Sequence, residues 1–247
     1  MNIAIAMLHH VADHPHPSLE KWCISHKKFI ELLNCIDSKG LETTTFSEIN
    51  ERKFSKTDLE KKVIISFDDC PSALFDFAIP ELLKRNMIAV FYMPSKYVGG
   101  INIWDVKEHA MASVELMSAA QLKQLIGLGM EIGSHGEKHI RLNLISEQEA
   151  FEDISNSKKT LESLLDTKIY SIAYPYGKIP KKYNNLLTKA EYQFGVSIYS
   201  AFQSKYTLRR FAINETDDKK TIELKLSKRY RMMRLLYDPF FLLLKKL

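Results

Sequence analysis

The chain has 247 residues, a formal net charge of +5, and 45% hydrophobic against 26% charged side chains. That is enough apolar material for a full core, which excludes a disordered chain, and the length fits one large α/β domain or two small ones. Three cysteines (Cys23, Cys35, Cys70) are too few for a disulfide framework and suit a reducing compartment. The opening MNIAIAMLHH lacks the basic stretch and the long apolar run of an export signal. No run of roughly 18 uncharged apolar residues reads as a membrane span, so a soluble cytoplasmic protein is expected. The basic charge is concentrated in residues 225–247, which hold seven Lys and Arg and one acid. The rest of the chain is slightly acidic, and a nucleic-acid partner is not expected.

In chain order, strand-like and helix-like segments alternate. Residues 3–8 read as a short strand. Residues 25–36 carry Phe29, Leu32, Leu33 and Ile36 at helical spacing, with Gly40 as the stop. A buried strand is predicted over 63–67, a helix with Pro80 in its first turn over 80–85, and a strand over 88–93. A long loop follows through Gly99, Gly100 and Trp104. Ser118 and Gln121 have capping-box spacing at the head of a helix that Gly129 ends, and a strand follows over 130–133. Ser146 and Glu149 repeat the signature for a helix running to 165. Then come a strand over 169–173, a helix over 183–190, a strand over 194–198 and a last strand over 208–213. This alternation implies parallel pairing, as a barrel of about seven or eight strands or as an open doubly wound sheet.

The reactive side chains fall at strand ends. Asp68 and Asp69 follow the strand over 63–67, and Ser134 and His135 follow that over 130–133, with His139 a short loop further on. Tyr174-Pro175-Tyr176-Gly177 follows 169–173, and His9-His10 follows 3–8. Parallel barrels build their active sites on this face. Two imidazoles and a carboxylate, here His135, His139 and Asp69, make a common open zinc shell. A second carboxylate beside it, Asp68, suits a general base, and His9 or His10 suits protonation of a leaving group. The chemistry expected is metal-assisted hydrolysis of an amide or ester. A zincin is excluded, because Gly136 stands where that motif needs glutamate after the first histidine.

These blocks resemble the motifs of the polysaccharide deacetylases (NodB-homology group, carbohydrate esterase family 4). Ser66-Phe67-Asp68-Asp69-Cys70 is similar to T-F-D-D-G, Ser134-His135-Gly136-Glu137-Lys138-His139 to S/T-H-x-x-x-H, and Tyr174-Pro175-Tyr176-Gly177 to the core of R-x-P-Y-G. The resemblance implies a distorted (β/α)7 TIM-like barrel and a divalent metal, usually zinc, on Asp69, His135 and His139. It also implies Asp68 as catalytic base and the Tyr176 N–H as an oxyanion donor. Met7-Leu8-His9-His10-Val11 resembles the L-M-Y-H-x-V opening of circularly permuted members. That alignment gives His9 the role of acid and keeps His10 as the alternative.

Three departures stand out. Cys70 replaces the motif glycine, Ala173 replaces the arginine that pairs with the base, and no histidine follows His139. Arg209 or Arg210 could supply the missing cation; Arg210 is grouped with Pro175 and Trp104 on the substrate side. Trp104 could stack on a sugar or anchor its loop, and Tyr174 and Tyr176 could do the same at the rim. His14, His16 and His26 read as surface residues. The organisation expected is a barrel over 1–228 and a basic amphipathic tail over 229–247, which either touches an anionic membrane or docks on the barrel with a break at Pro239. The function expected is removal of an N-acetyl or N-formyl group from an amino sugar, on a lipid- or nucleotide-linked intermediate of surface-polysaccharide synthesis. The alternative is a catalytically silent glycan-binding or scaffold protein, discriminated by metal content and acetate release.

Overall fold

A computed structural model describes residues 1–244; Lys245, Lys246 and Leu247, the cationic end expected of the tail, lie outside the described residues. The described residues form eleven strands: β1 (Ala4–Leu8), β2 (His10–Val11), β3 (Cys23–Ile24), β4 (Glu42–Thr43), β5 (Lys62–Asp68), β6 (Val90–Met93), β7 (Glu131–Ser134), β8 (Ser171–Ala173), β9 (Phe194–Ser197), β10 (Leu208–Arg209) and β11 (Phe211–Ala212). The main sheet is parallel throughout, in the order β10-β9-β8-β7-β6-β5-β1-β11, with β4 on the flank of β5. Its two edge strands are separated in the chain by Arg210 alone, so the sheet curls into a near-closed, distorted TIM-like barrel surrounded by helices.

The single strand expected over 208–213 is thus divided. Leu208 and Arg209 pair with β9, whereas Phe211 and Ala212 pair with β1. The backbone N–H of Arg210 still reaches Ser197 O at 2.8 Å, so the chain changes partner at this residue. One segment closes the barrel by belonging to both edges.

Strand alternation sorts the core into two layers. Ile3, Ile5, Ile64, Val90, Tyr92, Ala173, Val196 and Leu208 fill the barrel, plugged by Phe46 and Ile49 of the helix Phe46–Arg52. Ala4, Ala6, Leu8, Val63, Ile65, Phe67, Phe91 and Ile132 face the surrounding helices. Gly133 is small for a packing reason: a Cβ there would lie 2.4 Å from the Tyr92 ring.

The capping boxes at Ser118/Gln121 and Ser146/Glu149 head the helices Ala119–Gly127 and Glu147–Leu165. The loop expected around Trp104 instead contains the helix Ile103–His109. Asn102 secures it by accepting from Val114 N at 2.7 Å and donating to Ala112 O at 3.1 Å. Among the described residues, no helix is long and apolar enough to cross a membrane.

Candidate active site

The inward register of each strand, continued past its end, delivers the site. In β5, Ile64, Ser66 and Asp68 alternate inward; in β7 and its exit, Glu131, Gly133 and His135 do the same. Asp69 would point outward on a continued strand. Positive φ values at Asp69 (66°) and Cys70 (55°) turn the chain sharply there, so both neighbouring carboxylates reach one cavity. A left-handed residue favours glycine, which explains the motif glycine that Cys70 replaces. His139 (51°) and Tyr176 (57°) share this backbone conformation, placing four such residues around one site.

Asp69, His135 and His139 are buried, and their ligand atoms lie within 4.8 Å of one another. Asp69 Oδ1 is 3.3 Å from His139 Nε2 and 3.6 Å from His135 Nε2. Donors sharing a tetrahedral ion at bond lengths near 2.0–2.2 Å sit roughly 3.3–3.5 Å apart, so the set fits a divalent cation. The same Asp69 oxygen is buried with no hydrogen-bond partner among the described residues, a costly state for a carboxylate without a cation. Burial holds the His139 imidazole down to about 3 and lowers His135 as well, so both rings are neutral ligands. His135 Nδ1 lies 2.7 Å from Ala173 O; a proton there leaves Nε2 free for the ion. The ring of Trp104 stacks on His139 with centroids 4.3 Å apart, and Tyr176 meets that imidazole edge-on at 4.8 Å.

The loop from His135 to His139 is held from behind by the helix Glu147–Leu165. Asp153 accepts from Glu137 N and Lys138 N, both at 2.9 Å, and Ser157 bonds Ser134 Oγ at 2.7 Å and Gly136 O at 2.9 Å. A Cβ on Gly136, at φ 74°, would come 2.7 Å from Asp153 Oδ1. Sequence reasoning missed this support. Its signal was present: two polar residues four apart on the helix face that also carries Ala150 and Leu161.

Asp68 is clasped by Arg210, whose Nη1 and Nη2 donate to its two oxygens at 2.5 and 2.7 Å. Burial alone would raise the Asp68 pKa, but the Arg210 guanidinium, with His135 and His9, outweighs it and holds the carboxyl well below its usual range. Arg210 is 1% exposed, so its guanidinium is occupied with Asp68 although it borders the cavity. Arg209 instead turns away, to Ser200 O at 2.7 Å and Asp238 at 2.9 Å. Ala173 faces the interior shared with Leu208, where its small side chain leaves the barrel to the arginine that enters from position 210.

His9 continues the inward register of Ile3, Ile5 and Met7 and lines the same cavity. Burial lowers its pKa, and the Asp68 and Asp69 carboxylates partly restore it. His10 lies in β2 opposite Cys23 and also borders the cavity; burial, with the His9 imidazole beside it, pushes its pKa down to about 4. Tyr176 occupies the turn after β8. Gly177 N and Lys178 N close that turn on Tyr174 O and Pro175 O, which leaves Tyr176 as the residue whose N–H is not used in closing it.

The cavity measures about 410 Å³, in the size range of small-ligand sites. Asp105, on the segment with Trp104, adds to its wall, as do Trp22, Lys21, His109 and Arg141, which were not anticipated from the sequence. Trp22 is 40% exposed, whereas Trp104 is 5% exposed. Arg141 lies 3.9 Å from the Tyr176 ring centroid and pairs with Glu108 at 2.8 Å. Pro175 is buried under the turn. The three cysteines are free and buried.

Similar proteins agree with this architecture. The chain is 26% identical over 196 residues to the putative polysaccharide deacetylase YxkH of Bacillus subtilis, covering 77% of this chain and 66% of that protein. It is 27% identical over 183 residues to the poly-β-1,6-N-acetyl-D-glucosamine N-deacetylase of Staphylococcus epidermidis, covering 70% and 59%. The chain therefore spans less than two thirds of the length of these relatives. Among solved structures, the Streptococcus pyogenes deacetylase PplD in complex with acetate superposes with a TM-score of 0.77 at 20% identity, over 92% of this chain and 99% of that one. A de-N-acetylase from Aggregatibacter actinomycetemcomitans gives 0.73 at 19% identity, over 91% and 99%. The sequence model of the polysaccharide deacetylase family matches residues 55–195, more than half of the chain and the whole span from Asp68 to Tyr176. With those residues gathered at one end of a distorted parallel barrel, the chain belongs to the polysaccharide deacetylase family.

Proposed function

We propose that this chain is a metal-dependent hydrolase that removes an N-acetyl group from an amino sugar. The observation that carries the reading is the convergence of Asp69, His135 and His139 with a charged Asp68 beside them, 3.9 Å from His135 Nε2. A divalent ion on those donors would polarise the amide carbonyl and acidify water. Zinc suits two imidazoles and a carboxylate best.

The residues then divide the work. Asp68, kept anionic by Arg210, takes a proton from the attacking water. The Tyr176 N–H donates to the oxygen that gains charge as the carbonyl carbon becomes tetrahedral. His9, across the cavity, gives a proton to the sugar nitrogen as the C–N bond breaks, so acetate and a free amine leave. Trp104 and the exposed Trp22 shape the wall against the sugar, and the buried Pro175 acts from behind by setting the turn that carries Tyr176. A formamide would fit the same chemistry.

The named activity of the Staphylococcus epidermidis relative supports an N-acetylated hexosamine as substrate. Three free buried thiols suit a reducing compartment, which favours a lipid- or nucleotide-linked intermediate over an exported polymer.

The test is metal analysis of the purified chain with acetate release from N-acetylated nucleotide and lipid-linked sugars. Chelation is expected to abolish turnover and zinc to restore it, while Asp68→Asn keeps the metal and loses the rate. Bound metal without turnover on any acylated sugar would replace this reading by the glycan-binding one.

A further inference from the structure

The last helix, Lys228–Leu244, is amphipathic the wrong way round for a helix that merely packs on a barrel. Its buried side is polar. Asp238 is 2% exposed and pairs with Arg209 and Arg234. Arg234 donates to Ile198 O at 2.5 Å and Arg210 O at 3.3 Å, and Arg231 reaches Asn2 Oδ1 at 2.9 Å. Its outer side is apolar: Met232, Leu236, Phe240 and Leu243 follow one another at helical spacing, with Tyr237 beside them, and Leu236 is 78% exposed. This row runs roughly 16 Å along the helix.

Two further observations say what covers it. Tyr199 meets Phe241 at 4.8 Å, and the same loop leaves Phe202 80% exposed, bordering a depression with Lys181 and Lys182. The charge around the row is mainly basic: Arg229 is exposed at the head of the helix and Lys181 is exposed in the depression, Lys228 and Lys182 pair with Glu60 and Glu147 at 2.6 and 2.7 Å, and the one acid of residues 225–247, Asp238, is buried and neutralised. A second copy of the chain would bring cationic rims together, whereas an anionic bilayer matches both the apolar row and its rim.

We infer that this helix and the 199–202 loop form a membrane-docking face that lies on an anionic lipid surface. The helix is tied to the carbonyls of Ile198 and Arg210, which both border the catalytic cavity, so docking holds the cavity rim beside the bilayer. The inference stands apart from the proposed reaction, because vesicle binding needs no turnover.

The experiment is flotation of the full chain with phosphatidylcholine vesicles and with vesicles containing phosphatidylglycerol. The chain is expected to float with the anionic vesicles and to be released by high salt. Leu236→Glu combined with Phe240→Glu should lower the bound fraction by at least about tenfold, and Arg229→Glu by about fivefold or more. Both variants should keep the parent's circular dichroism and its metal content, since these side chains are exposed and away from the cavity. A chain that does not float, or a double variant that floats like the parent, overturns the inference. So does a dimer in light scattering that the double variant splits, which would assign the face to a second copy.

Discussion

Asp68 owes its charge to a single neighbour. Buried among low-polarity walls it would hold its proton to high pH, and the bidentate Arg210 contact reverses that. Because the folded pKa is depressed, this carboxylate stabilises the fold above its unfolded pKa, and the contribution fades as pH falls through the folded value. In Arg210→Met burial wins: the acid limb of the kcat/KM profile should move to higher pH, and stability at neutral pH should fall by about 3–5 kcal/mol. An unmoved limb would show that Asp68 is not the base. His9→Ala should cost about 10²–10⁴-fold in kcat, while His10→Ala stays near the parent; steady-state acetate release separates them. The inward position of His9 was readable from the two-residue period it shares with Ile3, Ile5 and Met7. The choice between Arg209 and Arg210 was not, because it depends on where the chain leaves one strand for another.

Turns, more than strands, set the distances between the donors. The His135–His139 loop has little regular structure of its own, and the carboxylate of Asp153 organises it through two backbone N–H groups. Asp153→Ala should therefore weaken metal affinity by about 10–100-fold without removing a ligand, as read by competition with a chromophoric chelator. Equal affinity would mean that the loop holds its shape alone. At this scale the sequence was legible wherever a local rule applied. The capping serines Ser118 and Ser146 head the helices they announced, and the gathering of reactive groups at strand ends follows from parallel pairing. What escaped was structure made by distant partners. The helix Ile103–His109 is secured by Asn102 and the segment near Val114, so a window around two glycines reads as loop. The left-handed turn at Asp69 and Cys70 leaves no trace in composition, since neither residue is glycine.

The barrel as a whole has a polar bottom as well as a polar mouth. Glu131 starts β7, buried, and accepts from Ser47 N at 2.7 Å and Ser171 Oγ at 3.2 Å, tying the plugging helix to the neighbouring strand. Burial raises its pKa to about 7, against the hydrogen bonds that favour the anion. A raised carboxyl pKa gives stability that is complete below the unfolded value near 4.5 and is lost as pH climbs through 7. That loss is about 3 kcal/mol. Metal-free protein should therefore melt at a lower temperature at pH 8 than at pH 5, and Glu131→Gln should flatten that slope; an equally steep slope would assign it to other groups. Whole-molecule architecture was the easiest level to read, since strand–helix alternation leaves few alternatives. Closure was the hardest, because four paired residues, two on each side of Arg210, accomplish it. That economy has a consequence under stress. The cation that arms Asp68 hangs from the short closing seam of the cylinder, so loosening residues 208–212 disarms the chemistry while most helices remain intact. In a denaturant series turnover should vanish before far-ultraviolet ellipticity does, and the molecule would carry a fuse that blows ahead of its frame.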